Sequence, residues 1–267
     1  MTPPTIGLGV LSWRGAESLT ATLQSYAKID LFSLFDEIVV FLPDPDKDVQ
    51  EVAKTYPVTI RTAPDNLGIL ENIAATAECL STDFFLFVEN DCPIIETRTE
   101  AIRQINRSLE LLQREDVIMS RLRSTQSPGE DFDGLRKYRA LYQPGVFSYL
   151  KRLFRPGKVK RLSGYARYDG VQSMKRHGAA FEDLGDDYYL VDCAIMPWTN
   201  QSILIRRDIF LETIIPHARQ VKTRRGANKL PNLEVELNKG PFWRKSGWKI
   251  LSGPGLFTHK RHEHRGY

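Results

Sequence analysis

In the first part of the chain, short continuous apolar runs alternate with stretches of helical spacing. Ile6–Leu11 reads as a strand, Ser12-Trp13-Arg14-Gly15 as a turn, and Ala16–Ala27 as a helix. A second strand lies within Phe35–Leu42 and breaks at Pro43-Asp44-Pro45-Asp46. Asp48–Tyr56 has helical character, and Val58–Ile60 is a third short strand. A turn-rich loop, Ala63–Gly68, leads into a helix over Ile69–Leu80, with apolar residues at Ile69, Leu70, Ile73, Ala74 and Ala77. The aromatic and β-branched run Phe84–Val88 has the character of a strand buried on both faces. Strands alternating with helices predict an α/β chain with a doubly wound, mostly parallel sheet flanked by helices and right-handed crossovers.

Further on, the pattern predicts a helix over Ala101–Gln113 and a strand over Val117–Leu122. From Ser124 to Asp192 the chain is rich in Gly, Pro, Tyr and charge with weak periodicity, which predicts a variable, partly looped region. Regularity returns with a strand over Trp198–Arg207 and a helix from about Asp208. A helix over Leu233–Lys245 and strands at Trp248–Leu251 and Leu256–Thr258 complete the reading. No internal repeat is visible. A length of 267 residues, 42% hydrophobic and 26% charged, suits one large α/β domain with an elaborated second half.

Charge changes the picture more than composition does. The net charge of +4 conceals −10 over residues 1–100 and +14 over the remainder. The densest basic block, Lys151–Arg161, has six cations and no acid; Arg219–Lys229, with Lys222, Arg224 and Arg225, is a second. Such runs are commonly solvated faces, and the functional reading is contact with a polyanion or an anionic lipid surface. Three cysteines without a CxxC pair indicate neither a disulfide framework nor a thiolate zinc site, which fits a reducing cytoplasm. No stretch is apolar over the ~18 residues a membrane span needs.

The chemistry concentrates where the Phe84–Val88 strand runs into Glu89-Asn90-Asp91, followed by Pro93. Two carboxylates at the carboxyl edge of a sheet lie where open α/β folds bind ligands. Their hard oxygens suit Mg²⁺ or Mn²⁺ and leave positions for a diphosphate, although an acidic triplet alone is also a common strand end or helix cap. Gly7-Leu8-Gly9 does not support dinucleotide binding, because Ser12 stands at the third glycine position and the glycines fall inside the strand.

The order of an opening strand with a polar loop, a second strand ending in acids, Asn66-x-Gly68 with Asn72, and an apolar strand into Glu89-Asn90-Asp91 resembles the GT-A type nucleotide-sugar glycosyltransferases, the family-two class in particular. The resemblance covers residues 5–95 and 198–262 in fragments. It implies nucleotide-sugar contacts at Ser12, Trp13, Glu17, Asp44, Asp65, Asn66, Gly68, Asn90 and Lys260, and metal ligation by Glu89, Asp91 and His259. Glu89 stands where the family has Asp, so Asp91 is the firmer ligand. His259, in Gly255–His259, matches the family's terminal metal-binding histidine and tilts the choice toward Mn²⁺; His262 and His264 follow in a basic tail with Arg261. Asn232–Asn238 occupies the position of the family's acidic catalytic motif. Leu233 replaces its first acid, leaving Glu234 as the implied general base and Glu236 as the second candidate. Residues two apart on a helix diverge, so one of the two faces the substrate. The implied layout is a single GT-A-like domain: residues 1–122 bind the nucleotide sugar, 123–197 are a variable insertion, and 198–267 form the acceptor and catalytic half.

The expected function is a metal-dependent transfer of a sugar from a nucleotide-diphosphate donor to a glycan or glycolipid hydroxyl, with inversion and with Mn²⁺ or Mg²⁺. Trp198, Trp243 and Trp248 offer faces for sugar rings or for the core. The expected location is cytoplasmic, with a possible peripheral contact at the inner face of a membrane through the basic half, and no nucleic-acid partner. Glu182-Asp183 and Asp186-Asp187 are rival acids. Two other readings compete. A sugar nucleotidyltransferase would need a better phosphate loop than Ser12–Gly15, and a noncatalytic polyanion- or membrane-surface module would leave the paired carboxylates unexplained.

Overall fold

The computed structural model describes residues 3–130, 132–221 and 230–263. Its first part alternates as the apolar pattern requires: β1 (Ile6–Leu11), α1 (Ala16–Lys28), β2 (Glu37–Pro43), α2 (Lys47–Lys54), β3 (Thr59–Ala63), α3 (Ile69–Glu78), β4 (Phe84–Glu89), α4 (Arg98–Leu111) and β5 (Val117–Arg123). The helix starts are chemically marked. Asp46 caps α2 by accepting from Val49 N at 2.9 Å, and Thr97 caps α4 through Glu100 N at 3.3 Å. On α1, Leu19, Leu23 and Tyr26 are buried at helical spacing.

The region expected to be partly looped holds four helices, α5 (Asp133–Tyr142), α6 (Val146–Phe154), α7 (Pro156–Leu162) and α8 (Val171–Lys175), and a hairpin of β6 (Phe181–Asp183) with β7 (Tyr189–Asp192). Next comes β8 (Ile203–Arg206), shorter than the run Trp198–Arg207 suggests, because Ser202 takes a positive φ of 49° and the preceding residues form a loop. The helical stretch after it comprises α9 (Arg207–Ile209), a π-helical turn over Phe210–Ile214, and α10 (Ile215–Gln220). The helix expected over Leu233–Lys245 is two helices, α11 (Leu233–Lys239) and α12 (Phe242–Lys245), parted at Gly240-Pro241. The two final strands are one, β9 (Lys249–Phe257), irregular in its register against β5.

All nine strands join one sheet in the order β3-β2-β1-β4-β8-β5-β9-β7-β6. β1 pairs in parallel with β2 and β4, β2 with β3, and β5 with β9; β8 and β7 run against their neighbours. Every residue from Phe84 to Val88 is buried, with Phe85 and Phe87 packed on one face and Phe84, Leu86 and Val88 on the other. Gly9 has a steric role. A Cβ there would lie 2.7 Å from the Thr76 methyl, so the glycine lets α3 close on β1.

Candidate metal and substrate site

The parallel strands deliver their ends to one edge, because Leu11 pairs with both Phe41 and Glu89, and Pro43 with Ala63. Glu89 and Asp91 emerge there, and β9 hands on His259 beside them. Donor atoms of Glu89, Asp91 and His259 all lie within 4.8 Å of one another. Asp91 is fully buried, its Oδ2 3.3 Å from His259 Nε2 and 3.4 Å from Arg261 Nε. A carboxylate at that depth demands cationic partners. Two carboxylates and one imidazole fit Mn²⁺, and Mg²⁺ less well because of the nitrogen donor. Cys92 is buried next to Asp91 but is not among these donors; burial, and after it the Asp91 charge, pushes its thiol well above the usual range.

The backbone around the triad is closely tied. Lys260 N donates to Asp91 O at 2.8 Å, and His259 N to Pro128 O at 3.2 Å. Gly129, at φ +80°, pairs with His259 as an isolated bridge, and a Cβ on it would lie 2.0 Å from His259 O. Asn90 is buried, and its amide donates to Ser12 Oγ at 2.9 Å and Arg14 O at 2.9 Å, across a turn with positive φ at Arg14 and Gly15. Ser12 is equally buried, so this pair shapes the β1–α1 loop. Trp13 is half-buried under the Arg14 guanidinium, and Glu17 is exposed on the first turn of α1. Asp44 and Asp65 are exposed beyond β2 and β3. Asn66 accepts from Gly68 N at 3.0 Å and from the Asn72 amide at 2.7 Å, which fixes the loop into α3. The tail lies across α1, with His262 N donating to Ser18 Oγ at 3.1 Å; His264 and the Lys222–Lys229 part of the second basic run fall outside the described residues.

Beyond the triad a cavity of about 330 Å³ is lined by Arg121, Arg123, Tyr165, Tyr168, Gln201 and Glu234, among others. Glu234 Oε1 accepts from Asn200 N at 3.0 Å. Glu236 is buried and does not line this cavity, and burial pushes its carboxyl up. The two arginines have no counterpart among the residues singled out by sequence. Arg123 donates to Pro128 O and Glu130 O, each at 2.7 Å, and so braces the segment that pairs with His259. Arg121 is 3% exposed, and its Nε has no hydrogen-bond partner among the described residues. Neither guanidinium has a carboxylate partner there. The available signal was their i, i+2 spacing on β5, which puts both on the face opposite Ser120 and Leu122.

The indole faces do not serve as open sugar platforms. Trp198 and Trp243 are buried and meet edge to face at 5.1 Å, and half-buried Trp248 packs on Phe242 and Trp243. Glu182 pairs with Lys249 at 2.7 Å and Asp187 with Arg167 at 2.7 Å, so these rival acids are engaged near the β6–β7 edge of the sheet.

No family profile matches the chain, and no curated protein matches it by sequence. Solved structures do. Glucosyl-3-phosphoglycerate synthase from Mycobacterium tuberculosis, in complex with Mn²⁺, UDP and phosphoglyceric acid, superposes with a TM-score of 0.51 at 14% identity, over 97% of this chain and 72% of that one. The fold is GT-A. The same synthase with Mg²⁺ and UDP gives 0.51 and 14%, over 97% and 73% of the two chains. A further mycobacterial protein gives 0.53 and 14%, over 97% and 68%. At this identity the likeness is one of architecture, and it agrees with the doubly wound GT-A expectation for this chain.

Proposed function

We propose that the protein is a glycosyltransferase that moves a sugar from a nucleotide-diphosphate donor to an acceptor hydroxyl. The observation that carries this reading is the convergence of Glu89, Asp91 and His259 donor atoms within 4.8 Å at the strand edge of a GT-A fold. These three would hold Mn²⁺ or Mg²⁺, which when bound neutralises charge on the departing diphosphate. The solved relatives bound to UDP with either metal support that donor class. Trp13, Asp44 and Asp65 follow the carboxyl ends of β1, β2 and β3 and would meet the nucleotide, while Asn66, Gly68 and Asn90 hold the neighbouring loops.

On the acceptor side, Glu234 at the cavity wall takes the proton from the attacking hydroxyl, with Asn200 N fixing one of its oxygens. A carboxylate near its ordinary pKa is a weak base, so its contribution is mostly position. Arg121 and Arg123 line the same cavity as Glu234 and Asp133 without an ion pair to either, which favours an acceptor that also carries a carboxylate or phosphate. Phosphoglyceric acid, bound by one relative, has this character.

The test is transfer from a panel of UDP-, GDP- and dTDP-sugars with Mn²⁺, followed by the configuration of the product's anomeric centre by NMR. In-line attack with Glu234 as base requires inversion. Retention removes Glu234 from that role, and no turnover with any donor removes the transferase reading.

A further inference from the structure

Helix α6 is built the wrong way round for a helix that belongs to a core. Six of the ten large hydrophobic residues exposed among the described residues lie on its nine positions, with Phe147 at 82%, Phe154 at 76% and Val146 at 71%. Val146, Phe147, Leu150, Leu153 and Phe154 recur at helical spacing and form one continuous stripe. The inward side is polar: Ser148 is buried and donates to Ala140 O at 3.4 Å, and Arg152 donates to Leu141 O and lies over the Tyr142 ring. Scattered apolar side chains on a surface need no account, but a contiguous stripe turned outward does.

The charge around this stripe says what covers it. Between Gly134 and Tyr168 the chain has ten Lys and Arg and no Asp or Glu. At the ends of that run Asp133 pairs with Lys137, and Asp169 with Arg139 at 2.8 Å. Helix α7 packs beside α6, and an open cleft of about 660 Å³ there is lined by Arg155, Lys158, Lys160, Arg161, Arg244 and Lys245, with no acid. A second copy meeting this face across a two-fold axis would set the same cations against each other. Nucleic acid would satisfy the cations and leave the phenylalanines in water. A bilayer with anionic headgroups meets both demands.

We infer that α6 is a membrane-docking helix, inserting Phe147, Leu150, Leu153 and Phe154 among the acyl chains of an anionic phospholipid surface while the α7 cleft takes up headgroup phosphates. Neither contact needs the metal triad or Glu234, so the inference stands apart from the glycosyltransferase reading.

The experiment is flotation of the purified full chain with vesicles of phosphatidylcholine alone and of phosphatidylcholine with about 30 mol % phosphatidylglycerol. The wild type is expected to float with the anionic vesicles and not with the neutral ones. Phe147→Ser with Phe154→Ser is expected to reduce the bound fraction by about tenfold or more, since each substitution removes a buried aromatic contribution. Lys158→Gln with Lys160→Gln is expected to weaken binding severalfold, and each pair, lying at the surface with none of its side chains in the core, to leave the melting temperature nearly unchanged. Three results would overturn the inference: no preference for anionic vesicles, binding indifferent to the Phe147/Phe154 pair, or a wild-type dimer by light scattering that this pair converts to monomer.

Discussion

At the scale of single residues, the site depends on a few side chains whose placement leaves little tolerance. Asp91 meets His259 and Arg261 from full burial, so Asp91→Asn should lower kcat/KM for the nucleotide sugar by at least about 100-fold, the upper end of what removing even a supporting partner of a metal ligand costs. Calorimetric titration of the donor's nucleoside diphosphate with Mn²⁺ should lose its metal dependence in the same variant. Glu236 makes a separate prediction about pH. Burial holds its folded-state pKa above the unfolded value, so the stability tied to its protonated form is complete below the unfolded pKa and is lost as pH rises through the folded one. Glu236→Gln lacks that loss. Relative to wild type, its urea midpoint should therefore improve as pH rises above the usual carboxylate range, and a parallel response in both proteins would contradict the assignment. The structure brings the metal triad together; in sequence, Glu89 and Asp91 were legible because an apolar strand runs straight into them, and His259 through the family resemblance. Arg121 and Arg123 were not, since arginine on a strand reads as a solvent-facing position, and only tertiary packing turns that face toward a cavity.

At the scale of elements, the alternating runs up to Arg123 match the structure because each strand is bounded by turn chemistry and each helix has a single apolar face. The pattern fails where those signals conflict. Ser252-Gly253-Pro254-Gly255 has the composition of a turn, yet β9 passes through it, its irregular register against β5 absorbing what a regular ladder would not. In α6 the amphipathic pattern is strong but inverted, so it gave no indication of packing. The bridge between Gly129 and His259 is the element most exposed to mutation. Gly129→Ala places a methyl 2.0 Å from His259 O at a positive φ. The expected cost is about 1–3 kcal/mol, read as a lower melting temperature, together with weaker Mn²⁺ binding because His259 must shift.

For the whole molecule, the Glu234 cavity and the outward face of α6 are two separate surfaces, both built from the basic remainder of the chain, while the acidic first 100 residues bring Glu89 and Asp91 to the strand edge. No helix among the described residues is long and apolar enough to cross a membrane. Ligand linkage gives a global test of the donor side: the nucleoside diphosphate of whichever donor sugar is turned over, at about 100 times its Kd with Mn²⁺, should add about 2.7 kcal/mol, a rise of roughly 5–10 °C in Tm, and EDTA should abolish it. An equal shift in EDTA would separate nucleotide binding from the triad.

Helix α5 connects the two surfaces. Gly134 and Lys137 near its start line the Glu234 cavity, while the carbonyls of Ala140 and Leu141 near its end support α6. Ten helical residues span about 15 Å. With α6 seated in a bilayer, α5 becomes a ruler between lipid and the cavity wall that holds Glu234. An acceptor anchored in the same leaflet would be measured by the height of its hydroxyl above the headgroups before any contact with its sugar or charge was made.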